Sequence, residues 1–322
     1  MSCKPRTGRI HRALFPAFGV TLVLVMAALF RTHVSPKAPA WRERKVLLGH
    51  AGNVLTMVFS PDGRQLASGD QEGKIIVWDL PSETPLATLQ HHEERLLSVA
   101  FSPEGHTLAT GSSDGSIQLW KVNQASPIRT LQGHDCAVMG MVFTPDGQTL
   151  VSGSADGIVK LWDPSTGNER ASWRADERAG FSCLAYSPAT GSLNRTVKLW
   201  DLATHQERFA LPERGGVKAL AFADGGRKLV VAGGNGSITI WDCASQQTIE
   251  TLGGTERPLL SLAATADGRR LVAGSLEGIV SLWDFDVNST PMTLEKNGMW
   301  IKAAAFSPEG VRLAANSQTR TE

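Results

Sequence analysis

Two sets of residues in this sequence combine a histidine, a hydroxyl, an aspartate and a tryptophan at identical spacing. They are His92, Thr110, Asp114 and Trp120, followed by His134, Ser152, Asp156 and Trp162. A hydroxyl beside an imidazole and a carboxylate can supply the nucleophile, base and orienting group of a hydrolase. Because the set occurs twice and each hydroxyl lies inside a predicted strand, we predict that neither set is catalytic and that the chain has no catalytic residues.

Other patterns that could carry chemistry are weak. Residues 111–115 have the G-x-S-x-G spacing of a hydrolase nucleophile turn, which requires a helix to follow, but a strand-like run at residues 116–120 follows instead. None of the four cysteines forms a C-x-x-C pair, and there is no phosphate-binding loop. The sequence therefore predicts no metal site and no cofactor.

Both sets belong to a stretch that repeats along the chain. Residues 133–163 begin with Gly-His, end with Trp-Asp and contain three strand-like runs separated by turns. The closing tryptophans follow one another at spacings of 42, 42, 38, 41 and 42, at Trp78, Trp120, Trp162, Trp200, Trp241 and Trp283. A period of roughly 40 to 45 residues with these end signals is typical of four-stranded propeller blades.

From residue 41 to residue 322 the chain resembles the WD-repeat (WD-40) β-propeller family. The resemblance implies an all-β fold, a seven-bladed WD-repeat β-propeller with six Trp-Asp-type repeats and an incomplete last blade, preceded by one N-terminal hydrophobic helix. It also implies that each His, hydroxyl, Asp and Trp set is a buried hydrogen-bonded tetrad, since such groups are costly to bury unpaired. The first repeat has Glu72 at the Asp position, and later repeats lose most of the set. We therefore expect lower local stability in the second half of the ring.

The last repeat and the fourth repeat depart from the pattern. The chain ends at Glu322, before the third strand of the last repeat, while residues 44–48 form an orphan outer strand near the other end. An unpaired strand edge is sticky, so self-association through the incomplete blade is expected as a by-product. The fourth repeat lacks five residues between Pro188 and Ala189, which predicts a shortened middle strand.

The N-terminal segment is apolar enough to interact with a membrane. Residues 1–12 are a basic leader, residues 13–30 carry no charge, and residues 31–43 resemble a tether ahead of the propeller at 44–322. As a helix, residues 13–30 would span roughly 27 Å, close to the thickness of a bilayer core. We predict a transmembrane signal anchor and a single-pass membrane location, with the side of the propeller left open. The alternatives are a cleaved signal peptide, which would give a secreted or periplasmic protein, and a buried helix.

The charge balance and the resemblance bear on possible partners. With 32 Lys and Arg against 31 Asp and Glu, the net charge is +1, so we predict no nucleic-acid partner, because phosphates demand a basic surface. The resemblance places the loops that carry Gly-His on one face around the axis, where partners of the family commonly bind. Arg and Trp often anchor interfaces. The residues predicted to bind a protein or peptide there are Asn53, Glu94, Arg95, Arg178, Arg214, Arg257, Met299 and Trp300.

The sequence therefore predicts a non-catalytic WD-repeat scaffold for protein–protein interactions, tethered to a membrane or exported. The alternative is a propeller enzyme or small-ligand binder that uses the central funnel. Such a site needs carboxylates, histidines or a metal converging at the axis.

Overall fold

The structure is built from β-strands in the residues that it describes. It is a computed structural model, and the described residues are 21–29, 40–90, 92–124, 126–176, 181–185, 189–192, 195–213, 215–253, 257–286, 288–296 and 300–318. Within these ranges there is no α-helix, and the only helical turn is a 3-10 turn at Asp224–Gly226. The chain begins with β1 (Thr21–Leu29) and β2 (Ala40–His50).

Six antiparallel sheets follow, each made of four consecutive strands. The first three sheets contain β3 (Val54–Phe59), β4 (Gln65–Asp70), β5 (Lys74–Asp79) and β6 (Thr84–Gln90); β7 (Leu96–Phe101), β8 (Thr107–Ser112), β9 (Ile117–Lys121) and β10 (Arg129–Leu131); and β11 (Val138–Phe143), β12 (Leu150–Ser154), β13 (Ile158–Trp162) and β14 (Glu169–Arg174). The next three contain β15 (Phe181–Ala185), β16 (Ala189–Ser192), β17 (Thr196–Trp200) and β18 (Glu207–Pro212); β19 (Val217–Ala223), β20 (Lys228–Gly233), β21 (Ile238–Asp242) and β22 (Gln247–Leu252); and β23 (Leu259–Ala264), β24 (Arg270–Ser275), β25 (Ile279–Asp284) and β26 (Asn288–Lys296). The chain continues with β27 (Ala304–Phe306) and β28 (Arg312–Gln318).

Local sequence explains the turns between the first two strands of a sheet. After β3, the Ser60 hydroxyl donates to Asp62 Oδ1 over 2.6 Å, and the Arg64 N–H donates to the same oxygen over 3.0 Å. Gly63 follows with φ of +68°, a left-handed conformation that glycine adopts without a steric penalty. The Ser-Pro-Asp-Gly sequence therefore folds as a tight turn that sends the chain back along β4.

The sheets form a ring around their first strands. The inner strands make contact in the closed order β3, β7, β11, β15, β19, β23, β27 and back to β3. The second strand of a sheet is largely buried between its neighbours, as β4 is, whereas the outer strand β6 is mostly exposed. Apolar side chains such as Leu66, Trp78 and Ala314 form the core between adjacent sheets. This arrangement brings the loops that precede the inner strands together around the axis.

Both ends of the chain build the last sheet, whose order is β2, β1, β28 and β27. Leu24 in the middle of β1 pairs with Val46 of β2 on one side and with Ala315 of β28 on the other. The predicted N-terminal hydrophobic helix and incomplete last blade are therefore wrong, whereas the described residues do form an all-β ring of four-stranded sheets, as predicted. Residues 21–29 form a strand that fills the gap, because pairing on both sides satisfies the backbone groups and removes an open edge. The predicted self-association loses its basis, since this sheet has four strands.

The structure also corrects the predicted localisation. No helix in the described ranges is long and apolar enough to span a membrane. A single-pass membrane location and membrane binding through residues 13–30 depended on a helix there, and the secreted or periplasmic alternative depended on cleavage of that segment as a signal peptide. Those predictions are wrong because residues 21–29 are a strand. The predicted leader at 1–12 and most of the tether at 31–43 lie outside the described residues.

The sheet of the fourth repeat confirms the expected shortening. Its second strand, β16, has four residues, whereas β4 and β8 have six each. The five residues missing from the repeat would have supplied the preceding turn and the start of this strand.

Candidate functional site

We define the rim positions as the residues three after each His position of the repeats. In the described residues these are Asn53, Arg95, Ala137, Gly216, Pro258 and Trp300. The Asn53 carbonyl accepts the N–H of Gln71 over 2.9 Å, and the Arg95 carbonyl accepts the N–H of Ser113 over 2.9 Å. The carbonyls of Ala137, Gly216 and Pro258 likewise accept the backbone N–H of the residue 18 positions later in the sequence. These five rim positions are therefore fixed by the hairpin that begins with each inner strand.

Trp300 is held differently, by the side chain of Asn316. The Asn316 Nδ2 donates to the Trp300 carbonyl over 3.0 Å, and its Oδ1 accepts the N–H of Ala303 over 2.9 Å. The Asn316 side-chain amide thus makes one donated and one accepted hydrogen bond to the start of the last repeat, as a backbone peptide of a neighbouring strand would. Asn316 is buried, with 1% of its surface exposed, so its polar atoms need these partners.

Three neighbouring sheets bring their rim residues into one cleft. Asn53, Arg95 and Trp300 line a cavity of about 210 Å³ together with Val54, Leu55, Gln71, Lys302 and Asn316. The sheets involved are consecutive in the ring, because β27 contacts β3 and β3 contacts β7. The other rim positions of the described residues carry the small or cyclic side chains of Ala137, Gly216 and Pro258. At the rim positions, therefore, the long side chains are concentrated on one side of the axis.

An exposed aromatic ring and two cations define the surface of the cleft. Trp300 is 53% exposed, and the Lys302 ammonium lies 5.2 Å from the centre of its ring, within the range of a cation–π contact. Partial burial lowers the pKa of Lys302, and the positive charge of Arg95 lowers it further. The two cations are therefore close enough to repel each other, which favours a negative group between them.

The two other predicted binding residues in the described part of the chain, Glu94 and Arg257, do not line this cleft. Glu94 is exposed beside it, with Oε2 3.5 Å from the Ser113 hydroxyl. Arg257 is exposed elsewhere on the rim, and its Nε lies 2.9 Å from Glu277 Oε1. The other three predicted residues, Arg178, Arg214 and Met299, lie outside the described residues.

The first repeat contains a buried hydrogen-bonded network. His50 Nδ1 lies 2.8 Å from Asp70 Oδ2, and His50 Nε2 lies 2.7 Å from the Ser68 hydroxyl, which also accepts the Trp78 indole N–H over 2.8 Å. A carboxylate can only accept, so a neutral His50 carries its proton on Nδ1 and Ser68 donates to Nε2. This is a Ser-His-Asp arrangement, but Ser68 and Asp70 are fully buried, and a substrate has no access to the hydroxyl. The acid is Asp70, two residues before Glu72.

In the second repeat the structure places His92, Thr110 and Trp120 together. The Thr110 hydroxyl lies 2.9 Å from His92 Nε2 and accepts the Trp120 indole N–H over 2.9 Å. Asp114 accepts the Ser116 N–H over 2.7 Å, and the Ser116 hydroxyl lies 3.3 Å from His92 Nδ1. Burial opposes ionisation of Asp114, but the hydrogen bonds from Ser116 outweigh it and hold the pKa of this carboxyl below its usual value.

The third repeat has a similar buried network, in which one polar atom lacks a hydrogen-bond partner among the described residues. The Ser152 hydroxyl lies 2.7 Å from His134 Nε2 and accepts the Trp162 indole N–H over 2.8 Å. Asp156 accepts the N–H of Ile158 over 3.0 Å, while His134 Nδ1 has no hydrogen-bond partner in the described part of the chain. Burial lowers the pKa of His134 to about 4, against an opposing effect of the Asp156 charge.

Sequence reasoning missed four polar residues that matter to these sites. Gln71, Lys302 and Asn316 line the cleft, and Asp70 completes the network of the first repeat. Asn316 had a visible signal, because it stands where the first three repeats have glycine. Among the described residues, no group of three or more His, Cys, Asp or Glu could hold a metal ion.

Comparison with known proteins agrees with the ring of sheets. A family model described as the IFT122 first beta-propeller matches residues 53–321. The chain belongs to this family of WD-repeat β-propellers. The solved structure of U3-55K has a TM-score of 0.76 with this propeller at 22% identity, covering 84% of this chain and 90% of that one. The RRP9 WD40 repeats have a TM-score of 0.75 at 22% identity, covering 84% and 89%. At this identity the likeness shows the fold alone.

Curated relatives of this WD-repeat propeller match over short stretches. The Notchless protein homolog of Arabidopsis thaliana is 44% identical over 69 residues, which is 21% of this chain and 14% of that protein. The human U3 small nucleolar RNA-interacting protein 2 is 39% identical over 64 residues, covering 20% and 13%. The guanine nucleotide-binding protein subunit beta-2 of Caenorhabditis elegans is 50% identical over 38 residues, covering 12% and 10%. The chain thus spans no more than about a seventh of each of these three proteins' lengths.

Proposed function

We propose that this propeller is a non-catalytic interaction module that binds a protein partner in the cleft between Asn53, Arg95 and Trp300. The observation that carries the proposal is the convergence of these three rim residues in one cavity. Trp and Arg are enriched among residues that dominate binding energy. The names of relatives support a role in assemblies, since one is a subunit of a guanine nucleotide-binding protein.

Trp300 stands apart from the other large apolar side chains that are exposed in the described ranges. Leu48, Leu86, Ile249 and Met292 lie on outer strands, and Ile128 immediately precedes one. Scattered residues of this kind are normal on a protein surface. Trp300 lies beside the axis, next to two cations and a cavity, which is the setting of an interface anchor.

A site-specific cross-link tests this proposal. A photoreactive p-benzoylphenylalanine replaces the exposed cleft residue Gln71, and in a matched protein it replaces Ala155, which has the same place in the third repeat. We expect a protease-sensitive adduct from position 71 and none from position 155. The adduct should disappear when Arg95→Glu and Trp300→Ala are added.

The controls decide between the proposal and its rivals. Circular dichroism must show that the double variant remains folded. Equal adducts from positions 71 and 155, or an adduct that survives the double variant, would contradict the cleft as the docking site. One relative is named for interaction with a small nucleolar RNA, so an adduct that is sensitive to ribonuclease instead of protease would also overturn the proposal.

A further inference from the structure

Among the described residues that line it, the cleft has two positive side chains and no acidic one. Of its eight lining residues, Arg95 and Lys302 carry charge, and the rest are apolar or neutral and polar. Within the described ranges neither Arg95 nor Lys302 forms an ion pair with a carboxylate. Within the described ranges, the charged residues of the cleft therefore lack a neutralising group of the kind that the exposed Arg257 has in Glu277.

The backbone beneath both cations is held by hydrogen bonds, and the Lys302 ammonium also lies over an aromatic ring. Lys302 is held over the Trp300 ring, and the Trp300 carbonyl is fixed by the buried Asn316 amide. The Arg95 carbonyl is fixed by the Ser113 N–H. Because the backbone on both sides of the cleft is already ordered, a ligand that neutralises the charges has little ordering cost to meet.

We infer that the segment entering this cleft is an acidic peptide, with an Asp or Glu carboxylate between Arg95 and Lys302 and an apolar or aromatic side chain against Trp300. This inference rests on the proposed function and adds the chemistry of the partner. Arg forms paired hydrogen bonds with a carboxylate, and the amides of Asn53 and Gln71 are of the type that pairs with a peptide backbone. The exposed face of Trp300 accounts for the apolar neighbour.

The same chemistry disfavours a nucleic acid. A nucleic-acid strand presents a phosphate at every nucleotide, and its binding needs a groove or stripe of basic residues. This chain has a net charge of +1, and its cleft has two cations in about 210 Å³. A single carboxylate can lie between the two cations in that space, whereas a continuous phosphate backbone needs a longer basic groove.

The test uses the full chain and an array of randomised twelve-residue peptides, with a labelled single-stranded oligonucleotide of uniform sequence as a separate probe. The charge variant is Arg95→Gln with Lys302→Met. The matched control is Arg257→Gln with Lys218→Met, which removes two positive charges from residues that do not line the cleft. A third variant, Trp300→Ala, removes the aromatic surface.

We expect the wild-type chain to select peptides enriched in Asp or Glu next to a large apolar residue. Replacing the acid by its amide, or using the charge variant, should weaken binding at least about tenfold, and the matched control should bind as the wild type does. Raising the salt concentration should also weaken binding.

Two different failures are distinguishable. Peptides selected without acidic enrichment, yet lost with Trp300→Ala, would leave the docking cleft standing and overturn the acidic partner. If the wild-type chain selects no peptides beyond those bound by a protein carrying all three cleft substitutions, both proposals fail. Tighter binding of the oligonucleotide than of any selected peptide would overturn both in favour of a nucleic-acid ligand.

Discussion

Asp70 accepts three hydrogen bonds while it is shielded from solvent. Its Oδ2 meets His50, and its Oδ1 accepts the backbone N–H groups of Glu72 and Lys74. It therefore joins the buried imidazole to the turn between β4 and β5. Asn316 plays a comparable role at the cleft, where one side-chain amide replaces backbone pairing. At this scale, single polar side chains set the positions of whole loops.

The first prediction compares Asp70→Asn with Glu72→Gln. The Asp70 variant keeps one acceptor oxygen and turns the other into an N–H₂ donor, so either the His50 ring or the two backbone N–H groups lose their acceptor. This change should lower the free energy of unfolding by about 1–3 kcal/mol. Glu72 is exposed, so its variant should change stability by less than about 0.5 kcal/mol. Urea unfolding of both proteins measures the difference. Equal losses would show that Glu72 serves the network as much as Asp70 does.

The second prediction concerns the pH dependence that His134 contributes. Its pKa in the folded chain is about 4, below the value near 6.5 of the unfolded chain, so the unfolded state binds more protons between these two pH values. The free energy of unfolding therefore falls as the pH drops from about 6.5 to about 4, by roughly 3 kcal/mol in total. It is unaffected by this residue above that window and changes no further below it.

The check is a set of urea unfolding curves between pH 4 and pH 7.5. His134→Gln should reduce the change of the free energy of unfolding with pH between about pH 4 and pH 6.5. Substitution of the exposed His106 by Gln should leave that pH dependence nearly unchanged. A slope that His134→Gln does not change would contradict the role assigned to burial of this imidazole.

At the scale of elements, strand β1 joins parts of the chain that are far apart in sequence. It lies between β2 and β28 and completes the last sheet. In that sheet β1 and β2 come from the N-terminal part of the chain, and β27 and β28 come from the C-terminal part. Val25 pairs with Lys45 on one side and with Ala314 on the other. The ring is thus closed by main-chain hydrogen bonds between the two ends.

The third prediction tests this closing strand. Val25→Pro removes a backbone N–H from a strand that is paired on both sides, and we expect the lost ladder hydrogen bond to lower the free energy of unfolding by about 1–3 kcal/mol. Val25→Thr keeps the N–H and is the control, with an expected loss well below that of proline. Thermal and urea unfolding of the two variants measure the effect. A proline variant as stable as the threonine variant would argue against pairing of β1.

At the scale of the whole molecule, the buried polar network is distributed unevenly around the ring. The indole N–H groups of Trp78, Trp120 and Trp162 each have a hydroxyl acceptor. Those of Trp241 and Trp283 are buried without an acceptor in the described residues, because Val231 and Ala273 stand where the hydroxyl would be. The later sheets therefore lose stabilising bonds that the earlier sheets keep.

The fourth prediction follows from this asymmetry. Native-state hydrogen exchange should show amides of β20 and β24 exchanging at least about tenfold faster than those of β4, since a buried unpaired donor costs about 1–3 kcal/mol. Ala273→Ser should slow exchange in β24, and it should have no such effect when Trp283→Phe is also present. Uniform protection around the ring would refute the expected weakness of the second half.

The sequence by itself determined the repeating unit, because the period of the closing tryptophans and the strand-like runs are local features. It also indicated Asn53, Arg95 and Trp300, since repeats in register put equivalent residues on one rim. It placed the acid of the first repeat at Glu72, because alignment by spacing cannot tell which of two nearby carboxylates points inward. Asp70 became evident only from its contact with His50.

Only the tertiary structure decided what residues 21–29 do. The uncharged run at residues 13–30 is long enough for a membrane helix, so its length alone favoured a helix over a strand. The choice depends on β28, nearly 300 residues away, which offers an unpaired edge to β1. Asn316 is similar, since its amide can replace a backbone peptide only when the start of the last repeat lies beside it. Such outcomes depend on contacts between distant segments, and a local pattern carries no record of them.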